Sequence, residues 1–202
     1  TPGLTLTDPR PLNREKLRFL AVGLTISAQG FPPLPYVAEE MDSIHQLYKS
    51  DQLLNNAFQT STLEQELREG RYGVLHIATH GKFSTDVNDS FLLTFDGKLT
   101  MQTLDQLVGL FRFRQEPLEL LTLSACQTGI GDDRAALGLA GVALKAGARS
   151  ALATLWFIND EASAALISEF YRQLRNPTLT KAIALQRAQL KLLGDRIYEH
   201  PA

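Results

Sequence analysis

Apolar positions along the chain alternate between short continuous runs and longer stretches with helical spacing. Leu17–Leu24 is almost wholly apolar and predicts a buried strand. A loop broken by Pro32, Pro33 and Pro35 follows from Gly30. Val37, Met41, Ile44, Leu47 and Tyr48 then recur at the spacing of an amphipathic helix that ends near Tyr48. Ser61-Thr62-Leu63-Glu64 has the form of a capping box and predicts a helix to about Glu69, stopped by Gly70. Tyr72–Thr79 and Leu118–Ser124 are short apolar runs that lead into polar, glycine-bearing turns, as core strands of a parallel sheet do. Between them, Asp96-Gly97 predicts a hairpin joining Phe91–Phe95 to Leu99–Met101, with a short helix over Thr103–Leu110. Ala135–Ala146 reads as a small-residue helix ended by Gly147, and Arg149–Trp156 as a third apolar strand. Asn159 or Asp160 is placed to cap a helix carrying Ala164, Leu166, Ile167 and Phe170, and a last helix spans Thr178–Leu193.

Strands alternating with helices predict an α/β fold whose mostly parallel sheet is covered on both faces. Pro2, Pro9 and Pro11 make residues 1–16 a linker or lead-in, with the domain proper over 17–202. The chain starts at Thr1 rather than methionine and is expected to be a segment of a longer protein.

Composition narrows the field of functions. Of 202 residues, 44% are hydrophobic and 21% charged, which excludes wholesale disorder. A formal charge of −2 lacks the basic excess of a dedicated nucleic-acid binder. One cysteine and four histidines make a structural zinc site improbable, and neither a metal nor another cofactor is expected. The longest apolar stretch, Ala135–Leu144, is about half of the roughly 20 residues a spanning helix requires. Thr1–Pro11 has no signal-peptide pattern, so the expected location is cytoplasmic, with no membrane partner.

The candidate chemistry lies where open α/β sheets hold their ligands, at the carboxyl ends of the strands. The run Ala78-Thr79-His80-Gly81 brings an imidazole there, and Ser124-Ala125-Cys126-Gln127-Thr128-Gly129 brings the single thiol. A thiol and a base at adjacent strand ends are the minimum for nucleophilic attack on a carbonyl. The backbone amides of Gly81 and Cys126 are candidates for an oxyanion hole. Other groups read more plainly. His76 is expected to be packed and hydrogen-bonded, because its distance from His80 along a strand, about 13 Å, is too great for a shared metal. His45 and His200 are expected on the solvent side, and Asp132 and Asp133 as helix-capping acids. Gly129-Ile130-Gly131 lacks the third glycine of a dinucleotide fingerprint, and Ser124 lacks a nucleophile-elbow context.

His80 precedes Cys126 by 46 residues, the order and approximate distance of the caspases. Leu75-His76-Ile77-Ala78-Thr79-His80-Gly81 and Leu123-Ser124-Ala125-Cys126-Gln127-Thr128-Gly129 resemble the histidine and cysteine motifs of the CHAT domain, a caspase-like module. Gly147-Ala148-Arg149-Ser150, Thr154-Leu155-Trp156 and Asp160-Glu161-Ala162 resemble its next strand and helix start. The resemblance implies a three-layer α/β/α sandwich and a cysteine endopeptidase with His80 as base, Cys126 as nucleophile and Gly81 in the oxyanion hole, without metal. By analogy with separase-like relatives, it implies that Asp160 contacts a basic substrate residue. It also implies a protein or peptide substrate, and control by a tetratricopeptide-repeat region in cis or by a regulatory protein. The family usually continues into a further C-terminal strand, which is expected to be missing after Glu199-His200-Pro201-Ala202. The competing reading is a catalytically silent signalling or scaffold domain of the same fold.

Overall fold

Short β-branched and leucine-rich runs of the chain pair side by side, and the amphipathic stretches between them cross over the resulting sheet. The computed structural model describes residues 3–6, 17–82, 84, 87–111, 114, 116–127, 147–153 and 160–194. The strands are β1 (Gly3–Leu6), β2 (Arg18–Gly23), β3 (Asp51–Leu54), β4 (Tyr72–Lys82), β5 (Phe91–Leu93), β6 (Lys98–Thr100), β7 (Leu120–Gln127) and β8 (Ser150–Ala153). The helices are α1 (Tyr36–Tyr48), α2 (Thr60–Glu69), α3 (Met101–Gly109), α4 (Asp160–Leu174) and α5 (Lys181–Leu193). The main path of the sheet is β1-β8-β7-β4-β2-β3, and the β5–β6 hairpin joins it on β4. β3, β2, β4, β7 and β8 run parallel to their neighbours, while β1 is antiparallel to β8.

Alternate side chains of the central strands go to opposite layers. Leu20, Val22, Leu75, Ile77, Leu121 and Leu123 pack with Leu63 and Leu67 of α2 and Leu104 and Val108 of α3. On the other side, Phe19, Ala21, Val74, Ala78 and Leu120 pack with α1, α4 and α5 through Met41, Ile44, Ile167, Phe170 and Leu185, among others. This is the three-layer α/β/α sandwich with a mostly parallel sheet that the sequence predicts. The close seating of α1 depends on Gly23, where a Cβ would lie 2.5 Å from the Ala78 carbonyl oxygen and 2.9 Å from Met41.

Several element boundaries differ from expectation, each for an identifiable reason. Gly3–Leu6, inside the segment read as a lead-in, pairs with Ser150–Ala153 as β1. Four residues are too few to show a period, and it is the β8 edge that recruits them. β3 likewise begins with polar Asp51-Gln52 and is made a strand by pairing with β2. β4 runs on to Lys82 because β5 pairs with Gly81 and Lys82. β7 begins two residues later than predicted and extends through Gln127. His80, Gly81 and Cys126 therefore lie inside strands rather than in the turns after them. The capping box at Ser61 does not form, since α2 begins at Thr60. The Thr60 N–H instead donates to Asp96 Oδ1 of the hairpin turn, and Glu64 pairs with Arg68. At the other end of α2, the Arg114 guanidinium donates to the carbonyls of Leu67, Arg68 and Gly70, each at 2.7 Å. The last helix starts at Lys181, capped by Thr180 Oγ1, which accepts from Ile183 N–H. The Ala135–Ala146 helix, Trp156 and the final residues fall outside the described residues.

Candidate active site

The two central strands, β4 and β7, set the site. Their parallel register runs from Val74 opposite Leu120 to Gly81 opposite Gln127, and it makes His80 the Cα partner of Cys126. Residues separated by 46 positions in the chain are thus brought to neighbouring strands, roughly 4.8 Å apart in the hydrogen-bonding direction. Gly81, next along β4, is paired to Gln127 on one side and to Leu92 of β5 on the other.

The His80 ring is buried, with 3% of the residue exposed. Its Nε2–H donates to the Pro32 carbonyl oxygen at 2.8 Å, and Phe31 packs on the ring with centroids 5.2 Å apart. A carbonyl can only accept, so this bond fixes the proton of the neutral imidazole on Nε2. Nδ1 is then left as a bare lone pair. It is buried, with no hydrogen-bond partner among the described residues. An imidazole whose one nitrogen is tied to a backbone carbonyl and whose other is unoccupied is a base held ready for a proton.

The sequence marks Pro32 only as one proline of a broken loop, and nothing in it points to Phe31. No residue-type signal marks a carbonyl acceptor, because every residue has one. The hint available was positional: a proline-stiffened loop leaving β2 at the carboxyl edge of the sheet.

Asp160 begins α4 and is half-buried. Its Oδ2 accepts the Tyr36 N–H at 3.1 Å, so it satisfies an orphan amide at the start of α1. Burial raises the Asp160 carboxyl above the ordinary aspartate range. The Tyr36 bond opposes that rise, Glu40 adds to it, and a protonated His80 lowers it.

His76 is fully buried and hydrogen-bonded, as expected. Its Nε2 lies 2.9 Å from Glu40 Oε1 of α1, and its Nδ1 lies 3.4 Å from the Tyr171 hydroxyl of α4. Tyr171 donates to Thr122 Oγ1 of β7 at 2.9 Å. Burial pushes the Tyr171 phenol well above its ordinary range. Ser124 Oγ, also of β7, donates to Glu40 Oε2 at 3.3 Å. The helical spacing of α1 had shown its apolar stripe but not that Glu40 shares it. His45 is exposed, with its Nδ1–H on the Ser50 carbonyl. His200, Asp132 and Asp133 fall outside the described residues.

Among the described residues, no group of three or more His, Cys, Asp or Glu could hold a metal ion. No helix among them is long and apolar enough to cross a membrane. Direct comparison with curated proteins finds no match. The sequence model of the CHAT domain matches residues 3–202. With that match over nearly its whole length and the α/β sandwich described above, the chain belongs to the CHAT domain family, a caspase-like family related to the cysteine peptidases.

Proposed function

We propose that this domain is a cysteine endopeptidase in which His80 activates Cys126. The observation that carries the reading is the register pairing of the two residues, combined with an imidazole whose Nε2–H is tied to Pro32 and whose Nδ1 is unoccupied. In the first step the Cys126 thiol proton passes to His80 Nδ1, and the thiolate attacks the scissile carbonyl carbon. The amides of Gly81 and Cys126 hold the oxyanion; removing one such donor typically costs about 10²- to 10³-fold in rate. The carbon–nitrogen bond then breaks as the imidazolium returns its proton to the leaving amine, and a thioester remains. Water attacks that thioester, loses a proton to His80 and releases the acid, and Cys126 regains its thiol.

Asp160 is the residue proposed to meet a substrate Arg or Lys. Its support is a half-buried carboxylate within electrostatic reach of His80. Its bond to Tyr36 N–H engages one of its two oxygens, so the carboxylate can cap α1 and face a substrate cation together. Access is governed by a partner protein or a tetratricopeptide-repeat region in cis, and the domain works in the cytoplasm.

Peptidyl acyloxymethyl ketones test the dyad and the preference together, read by intact mass, since every adduct must be on the single cysteine. Probes ending in Arg or Lys are expected to label faster than one ending in norleucine. Labelling is expected to vanish in Cys126→Ala and to fall sharply in His80→Ala. Equal labelling in the wild type and in His80→Ala would overturn the dyad, and equal rates for all probes would overturn the basic preference.

A further inference from the structure

Helix α1 carries an acid where its apolar stripe meets the sheet. Glu40 is 1% exposed and sits among Val37, Met41 and Ile44, which are also buried. A buried carboxylate loses its hydration and is retained at a net benefit only where its partners are well placed. Here each oxygen meets a side chain of a different strand, Oε2 through a hydrogen bond and Oε1 at ion-pair distance without one. Oε1 lies 2.9 Å from His76 Nε2 of β4, and Oε2 accepts from Ser124 Oγ of β7 at 3.3 Å. Those are the strands that bear His80 and Cys126, and Ser124 stands one pleat repeat before Cys126.

The residue that orients the base lies just upstream of the same helix. Pro32 and Phe31 lie in the segment that leads into α1 at Tyr36. That segment is fastened at Leu34, which is buried, and at Tyr36, whose N–H is on Asp160. At its far end, α1 is tied by the Tyr48 hydroxyl donating to the Tyr171 carbonyl at 2.8 Å. In between, Gln52 of β3 donates to the Met41 carbonyl at 3.0 Å, and Glu40 joins α1 to the two central strands β4 and β7.

We propose that Glu40 is a positioning residue for the dyad. By bridging His76 and Ser124 it sets the seat of α1 on β4 and β7, and thereby the Pro32 carbonyl that holds His80 with Nδ1 bare. The inference rests on His80 being the base. The titratable groups that bear on Glu40 are His76 on β4 and Asp160 and Tyr171 on α4.

Long-range proton–nitrogen NMR of the His80 ring reads this arrangement without any need for turnover. In the wild type, and in Glu40→Gln, the neutral ring is expected to be protonated on Nε2. In Glu40→Met the two tautomers are expected to mix, and Cys126 alkylation at about pH 6 to fall about tenfold, a fraction of what a general base usually contributes. Ser124→Ala removes only one arm of the bridge and is expected to lower alkylation roughly two- to threefold, with folding intact. It serves as the test should Glu40→Met not fold. A folded Glu40→Met, or a Ser124→Ala, with the wild-type tautomer and alkylation profile would overturn the proposal. Failure of the dyad itself looks different: alkylation would be indifferent to His80→Ala while the His80 tautomer still followed Glu40.

Discussion

The two faces of one sheet are built on different terms. Toward α2 and α3, the central strands present Leu75, Ile77, Leu121 and Leu123, all buried among other apolar side chains. Toward α1 and α4, the same strands present Val74, His76, Ala78 and His80, and Leu120, Thr122 and Ser124, so that polar groups interrupt the core. Each of these polar groups is engaged by a side chain or carbonyl from the covering layer: Glu40 and Tyr171 for the inner ones, Pro32 for His80. The first face stabilises the sheet. The second interrupts its apolar packing with polar groups, and among them the His80 imidazole is held in one tautomer at the carboxyl end of the strands.

That contrast can be broken by substitution. Glu40→Met removes the acceptor of Ser124 Oγ and the carboxylate beside His76, and is expected to cost about 1–3 kcal/mol, the usual penalty for leaving buried polar groups unpaired. Adding His76→Leu should recover much of the loss in urea titrations without restoring the orientation of His80. If the single change were silent, the polar face would be ordinary core. On the opposite face, Leu75→Ala is expected to cost about 2–5 kcal/mol through the cavity it leaves, yet to keep the alkylation profile of the folded protein unchanged.

Smaller effects test the outer layer. Glu169 of α4 would be raised by burial, but hydrogen bonds from Arg172, Gln173 and Lys191 outweigh it and hold the carboxylate down at about 2. Its folded value lies below the ordinary 4.5, so its stabilisation is complete above that pH and disappears as pH falls toward 2. Glu169→Gln should therefore lower stability at pH 7 by about 1 kcal/mol, a figure kept small because its cationic partners are largely exposed to solvent. The difference from wild type should close in thermal melts across that acidic window. Smallest in stability is Asp160→Asn, which keeps an acceptor for Tyr36 N–H and should stay within about 0.5 kcal/mol of wild type. The same variant should lose the preference for Arg- and Lys-ending probes. Should it unfold instead, capping α1 would be its main task.

Much of this was legible in the residues. The apolar runs gave the central strands and helices, because a buried strand and an amphipathic helix each impose their own period. His80 and Cys126 could be paired because both follow apolar runs of the same kind. What the sequence concealed depends on contacts between distant segments. β1 and β3 are strands only because a neighbouring edge pairs with them, and the Ser61 capping box lost to Asp96 arriving from a hairpin turn. Pro32 contributes a carbonyl that any residue would supply. Glu40 is one of three acids in α1, with Glu39 and Asp42, and only the seating of the helix shows where its carboxylate goes.

The most direct test of the account is the pH dependence of iodoacetamide alkylation at Cys126, in the wild type and in His80→Ala, read by intact mass. An ordinary thiol ionises near pH 8.5, whereas one paired with a histidine ionises several units lower. Rapid labelling at about pH 6 is expected in the wild type, and in His80→Ala a profile that rises only near pH 8.5. Two superimposable profiles, both rising near pH 8.5, would contradict it and leave the fold as a scaffold.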